Sequence, residues 1–206
     1  VGERGGRRRG LTPGGPRKED GATVILYAAV IAGLLFLAFA FFAVAQAGTV
    51  RNGGQSAADA AALAAAQDDR DELFEDFLDA ILEGKSLEDI LDGLGSLFGD
   101  GCGEAEYFAD RNRSDVLSCD GVSEDGHNGY TVKVRTRFDT GDTVVPGADN
   151  KKAEASATAV IKPRCELVED GKLIEITCDG EDLTIDPDDI DLDLEPSDLF
   201  SVVLVD

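Results

Sequence analysis

The chain has 206 residues, a formal net charge of −23, four cysteines and one histidine. Once a leader and a membrane span are set aside, that length leaves one modest soluble domain. The acidity excludes a nucleic-acid partner for that domain, which would repel phosphates rather than release their counterions.

Residues 1–21 form a leader rich in Gly, Pro and Arg. Positions 1–20 carry six basic residues (Arg4, Arg7, Arg8, Arg9, Arg17 and Lys18) against three acids (Glu3, Glu19 and Asp20). Without an apolar pattern, the leader reads as a disordered segment. The next stretch, 22–47, opens with 24 uncharged residues, 22–45, in which Thr23 is the only non-aromatic polar side chain. At about 1.5 Å per residue this run covers the roughly 30 Å hydrocarbon core of a bilayer. Phe36, Phe39, Phe41 and Phe42 spread bulk around the helix, as lipid contact requires. Basic residues before the span fix the N-terminus in the cytoplasm and place residues from about 48 onward outside. A secretory signal is the competing reading, with Ala-x-Ala spacing at Ala43, Ala45 and Ala47. Beyond the leader, positions 21–206 carry 13 basic and 39 acidic residues. The exported part is therefore strongly acidic.

Residues 48–99 read as a helical region. Gly53 and Gly54 weaken the helix locally, and the alanine-rich run 55–67 restores it. From Arg70, the apolar positions Leu73, Phe74, Phe77, Leu78, Ile81 and Leu82 recur at helical spacing, with Asp and Glu opposite. Gly84 ends this helix, and Ser86 caps a second one, built on Leu87, Ile90, Leu91 and Leu94 and broken by Gly95 and Gly99.

Residues 100–206 read as a β-rich part with an acidic C-terminal segment. Residues 101–128, rich in Gly, Asp and Ser, suggest a loop with one short strand at 115–118. Period-two alternation begins at 130–138, with Tyr130, Val132, Val134, Thr136 and Phe138 on one face. A turn at 139–142 and an apolar patch at 144–146 lead to a second strand at 153–162. A hairpin follows at 167–177, turning at Glu169, Asp170 and Gly171. The tail alternates acidic and apolar residues and ends in a strand at 199–205. The resulting fold class is α+β: a long N-terminal transmembrane helix continuing into an alanine-rich helix, then a small antiparallel β ectodomain.

Cys102, Cys119, Cys165 and Cys178 all follow the span, in the compartment where disulfides persist. Of the three connectivities, Cys102 with Cys119 and Cys165 with Cys178 close the shortest loops. A zinc site is not expected, because the cysteines lack CxxC spacing and His127 is the only histidine. His127 lies in turn composition, DGHNGY, and no catalytic motif accompanies it, so neither an enzyme nor a cofactor is expected. The acidic stretch Asp186, Asp188, Asp189, Asp191, Asp193 and Glu195 lacks the glycine and distal Glu of a calcium loop and reads as a solvated edge. Asn112, Arg113 and Ser114 match a glycosylation sequon.

The span and the segment just after it carry family information. Residues 21–67, with Arg51 ahead of Gln55, Ala57, Ala58, Asp59, Ala60, Ala61, Ala62, Leu63, Ala64, Ala65 and Ala66, resemble the N-terminal module of TadE/TadG-like Flp pilus-assembly proteins. The later EASATAVIKPRC is similar to the strand that closes many such ectodomains. The resemblance implies a role in a Tad-type pilus, with pilus and secretion components and the lipid bilayer as partners. It also implies a peptidase cut between Gly21 and Ala22. Related prepilins carry Glu at the fifth residue after the cut, followed by an aromatic. Here Leu26 and Tyr27 stand at those positions, which points to a membrane-retained accessory or minor pilin-like component rather than a major subunit. Ala58 and Ala62 leave a thin helix on which a neighbouring helix could pack, with Asp59 setting the register and Leu63 beside it, so that homo- or hetero-oligomers would form through the N-terminal helix. A stiff stalk is the plainer role for the same alanines. The rival function is a surface-anchored binding or sensor module for which the span is a tether.

Overall fold

The computed structural model describes residues 20–93, 99–142, 150–187 and 194–205. The leader before Asp20, the expected helix end at Leu94 and Gly95, the apolar patch at 144–146, and Asp188, Asp189, Asp191 and Asp193 lie outside the described residues. The fold is α+β. Helix α1 runs Asp20–Glu83, α2 Glu88–Leu91 and α3 Gly101–Arg111. Strands β1 (Ser114–Glu124), β2 (His127–Thr136), β3 (Glu154–Pro163) and β7 (Phe200–Val205) form an antiparallel sheet in the order β1-β2-β3-β7. A second antiparallel sheet holds β4 (Cys165–Asp170), β5 (Ile174–Cys178) and β6 (Glu181–Ile185), and the short α4 (Pro196–Leu199) precedes β7.

The chain divides into two units, Val1–Phe42 and Ala43–Asp206. In the first, the side chains described from Thr23 onward are almost all exposed, Phe41 at 77 %. The second has a single core. Ala57, Ala61, Ala65, Leu73 and Phe77 of α1 share it with Tyr130, Val132 and Val134 of β2, Ile174 and Ile176 of β5, and Phe200 of β7. The helical region 48–99 and the β-rich part 100–206 therefore do not fold separately: each supplies a face that the other buries.

Gly53 and Gly54 do not interrupt α1. They let the sheet approach: a Cβ at Gly53 would sit 2.7 Å from the Phe138 ring, and one at Gly54 would sit 3.2–3.3 Å from Ala153 and Thr136. The roughly 1 kcal/mol of helix propensity each glycine forgoes is offset by packing that a larger residue would block. Gly84, at φ +62°, ends α1 in the left-handed conformation expected of it. The second helix is a single turn. Leu87 occupies its N-cap position, and Ser86 Oγ only accepts a long 3.5 Å bond from the Glu88 amide.

The largest departure from the sequence reading lies at 101–128. Instead of a loop with a four-residue strand, it forms an eleven-residue helix, α3, and an eleven-residue strand, β1. α3 buries only Gly101, Ala105 and Ala109, while its two large side chains, Tyr107 and Phe108, are exposed, so no apolar face of bulky residues announces it. β1 is an edge strand whose side chains are mostly exposed, so its Ser, Asp and Gly content remains compatible with pairing to β2. Asp125 and Gly126, both at positive φ, close the β1–β2 hairpin as a two-residue turn.

The remaining strands shift by a few residues. β2 begins at His127 and ends at Thr136, leaving Phe138 beyond it against Gly53. The expected alternation holds within it: Tyr130, Val132, Val134 and Thr136 are all buried. β4 continues through Asp170, so the chain turns at 171–173 rather than at Glu169 to Gly171. β6 occupies part of the tail that read only as alternating acidic and apolar residues.

Candidate membrane and assembly interface

Among the described residues one helix, counted from Thr23, is long and apolar enough to cross a membrane, and none of its most apolar window is buried. Val24, Leu26, Tyr27, Phe36, Phe39 and Phe42 are each more than half exposed. This much uncharged surface on every side has no soluble partner among the described residues, and burial in lipid is the environment its chemistry matches. Gly21 and Ala22, the expected cleavage position, fall inside α1.

The alanine run behaves in the opposite way. Ala57, Ala58, Ala61, Ala62, Ala65 and Ala66 are wholly buried, Ala64 nearly so, and only Asp59, Ala60 and Leu63 are intermediate. The chain's own sheet and the start of α3 take up this surface: a Cβ at Gly101 would sit 2.5 Å from the Ala65 carbonyl oxygen. Gly54 lies against Thr136, Ala153 and Ala155, and fifteen residues on, Tyr130 donates its hydroxyl to Asp69 Oδ2 at 2.9 Å. β2 thus runs antiparallel to this part of α1, and methyl-sized side chains set the close helix-to-sheet distance. Gln55 and Asp59 serve the same junction. Gln55 Nε2 donates to Asp59 Oδ1 at 2.7 Å and, at 3.4 Å, to the Ser156 carbonyl on β3. Ala58 and Ala62 are already buried within the domain, so a neighbouring helix packing on them, with Asp59 as register pin, would have to displace part of the domain's own core. Ala60 and Leu63 keep the only partly open stripe within the run.

Among the described residues Asp69 is the buried carboxylate, 5 % exposed. Its Oδ1 is buried and accepts no hydrogen bond from the described residues. Burial is the main cause that raises its pKa, reinforced by Glu72 and Asp68 and opposed by the Tyr130 hydroxyl and the Gly99 backbone. Tyr130 is raised as well, first by burial and then by its bond to Asp69, so it remains a hydroxyl that donates. Periodicity offers no sign of this pair, because Asp69 sits in the acidic run QDDRDE and reads there as solvated.

The two bridges join Cys102 to Cys119 and Cys165 to Cys178. The first ties α3 to β1, and the second crosses directly between paired residues of β4 and β5. His127 is a half-buried strand residue opposite Glu124, not part of the turn itself. Asn112 of the sequon caps α3, its amide donating to the Phe108 carbonyl, and Ser114 is buried with its hydroxyl donating to the Asn112 carbonyl. Asp186 and Glu195 are the only described members of the acidic stretch, and Glu195 belongs to the capping box of α4. Among the described residues no group of three or more His, Cys, Asp or Glu is placed to hold a metal ion.

No family model, curated protein or solved structure matches this chain.

Proposed function

We propose that the protein is a single-pass, non-enzymatic component of a Tad/Flp-type pilus assembly system, TadG-like or minor pilin-like, with its N-terminus in the cytoplasm and its disulfide-bonded domain outside. One observation carries the reading: an uncharged, exposed helix at 23–45 is followed directly by the Gln55–Asp59–alanine sequence. The basic leader supports the orientation, and two disulfides in the domain fit an oxidising compartment. Lipid and pilus secretion proteins are the partners. Oligomers would use the apolar part of the helix, whose large side chains are exposed, rather than the alanines buried in the domain.

Deleting this chain should abolish or alter surface filaments seen by electron microscopy, and the tagged protein should co-isolate with pilus secretion proteins. Unchanged filaments together with no co-isolation would defeat the assembly role. The occupied alanine face favours the second reading, a membrane-tethered binding module. That reading expects the same membrane location without either result.

A further inference from the structure

We infer that the end of the acidic domain at which α1 enters it is a basic collar that docks on anionic lipid headgroups. The inference rests on the membrane-anchored reading above. Because β2 runs antiparallel to α1, the end of β2, the start of β3 and the α3–β1 junction gather around Gly53 and Gly54. Phe138 lies on Gly53, the Arg113 guanidinium stacks 4.7 Å from the Phe138 ring centre, and the Arg137 amide donates to the Arg113 carbonyl. Thr140 and Lys151 close the neighbouring loop through their backbones.

The charges at this end are unlike those of the rest of the domain. Among the described residues its carboxylates are largely engaged: Asp110 and Asp115 both bind Arg137, Glu154 binds Lys133 and Arg135, and Asp139 accepts from the Gly141 amide, leaving only Asp139 and Asp142 without a described cation. Arg111, Arg113, Lys151 and Lys152 are exposed and form no ion pair with the described carboxylates. Arg111 is turned onto the Tyr107 ring and hydroxyl. A domain this acidic would be pushed away from an anionic bilayer, and grouping unmatched cations at one end reverses the sign there. The apolar run stops at Ala45, and Gly53 follows after about 12 Å of helix. The collar is therefore held within reach of the headgroup layer, where each added Lys or Arg gains attraction that salt screens.

The test uses the full chain reconstituted into vesicles of phosphatidylcholine alone or rich in phosphatidylglycerol. Flotation reports anchoring, and acylation of individual lysines, read by mass spectrometry, reports docking. Lys85 and Lys172 serve as controls, since they belong to the opposite end of α1, where Glu83, Lys85 and Gly171 line one cavity and Lys172 follows in the β4–β5 turn. The expected result is flotation with both vesicles, with Lys151 and Lys152 acylated about fivefold more slowly only on phosphatidylglycerol, the controls unchanged and the protection lost in high salt. Flotation with equal reactivity of Lys151 and Lys152 in both vesicles would overturn the collar and leave anchoring intact. Failure to float with either vesicle would overturn anchoring, and the collar with it.

Discussion

Helix α1 contains two apolar stretches that solve different problems. At 23–45 it carries Leu, Ile, Val, Phe or Tyr at fourteen positions and alanine at seven, and all of its residues but Ala40 and Ala43 are exposed. At 57–66 it is built almost wholly from alanine, and most of it is buried within the domain. The first stretch offers a large apolar area on every side. The second offers little area and a close, specific fit. Hydrophobicity alone does not say which kind of burial a segment is made for; side-chain size does. Large residues suit a fluid apolar solvent, and small ones admit the backbone of a packed neighbour.

Paired substitutions sharpen this contrast. The largest effect is expected for Phe77→Ala, which empties a wholly buried site and should destabilise the domain by about 3–5 kcal/mol. Phe41→Ala, at an exposed position of the span, should leave the domain's unfolding midpoint unchanged. Equal losses in the two variants, measured by denaturant unfolding in detergent, would erase the distinction.

Next in size is loss of the Cys165–Cys178 bridge by Cys178→Ser. For a loop of this length it should cost roughly 3 kcal/mol, and reductant should have no further effect on that part of the fold. Then comes overpacking. Ala61→Leu should cost about 1–3 kcal/mol because the sheet cannot retreat, whereas Ala40→Leu should be silent for the domain. If Ala61→Leu is also silent, the sheet does not lie on the alanines.

The smallest expected effect is a pH dependence. Asp69 has a raised pKa in the fold, so the folded state binds its proton more readily than the unfolded chain does. The associated stability is fully present below the ordinary carboxylate range and is lost as pH rises through the raised value. Asp69→Asn keeps the size and an acceptor for Tyr130 but removes the titration. The stability of the variant relative to the parent should therefore rise as pH increases from about 4 towards neutrality, and thermal melts across that range read it. A difference independent of pH would mean that Asp69 is solvated.

Much of this architecture was legible in the sequence. The long apolar helix, the α+β class, β2 with its buried face, β3 and the terminal strand all rest on an uncharged run or on apolar and β-branched residues in a recognisable pattern. What escaped buries only small residues or lies exposed at an edge, with the large side chains of α3, Tyr107 and Phe108, turned outward. α3 buries only Ala105, Ala109 and its first glycine, and β1 lies at a sheet edge where Ser, Asp and Gly meet solvent. The Asp125–Gly126 turn was nevertheless written in the sequence as a hairpin signal, and reading it would have extended β1. The alanines misled in the other direction. Their size announces close packing but not against what, and the answer lay about seventy to a hundred residues further along the chain, in β2 and β3. Asp69 could not be singled out because burial is a property of the assembled core.

The central claim is that α1 meets lipid at 23–45 and its own sheet at 57–66. A photoreactive probe confined to the bilayer interior tests it directly, applied to the full chain in vesicles and read residue by residue. The account predicts labels at Val24, Phe36, Phe39 and Val44 and none from Ala57 to Ala66. Labelling that extends through the alanines, or that misses the first stretch, would contradict it.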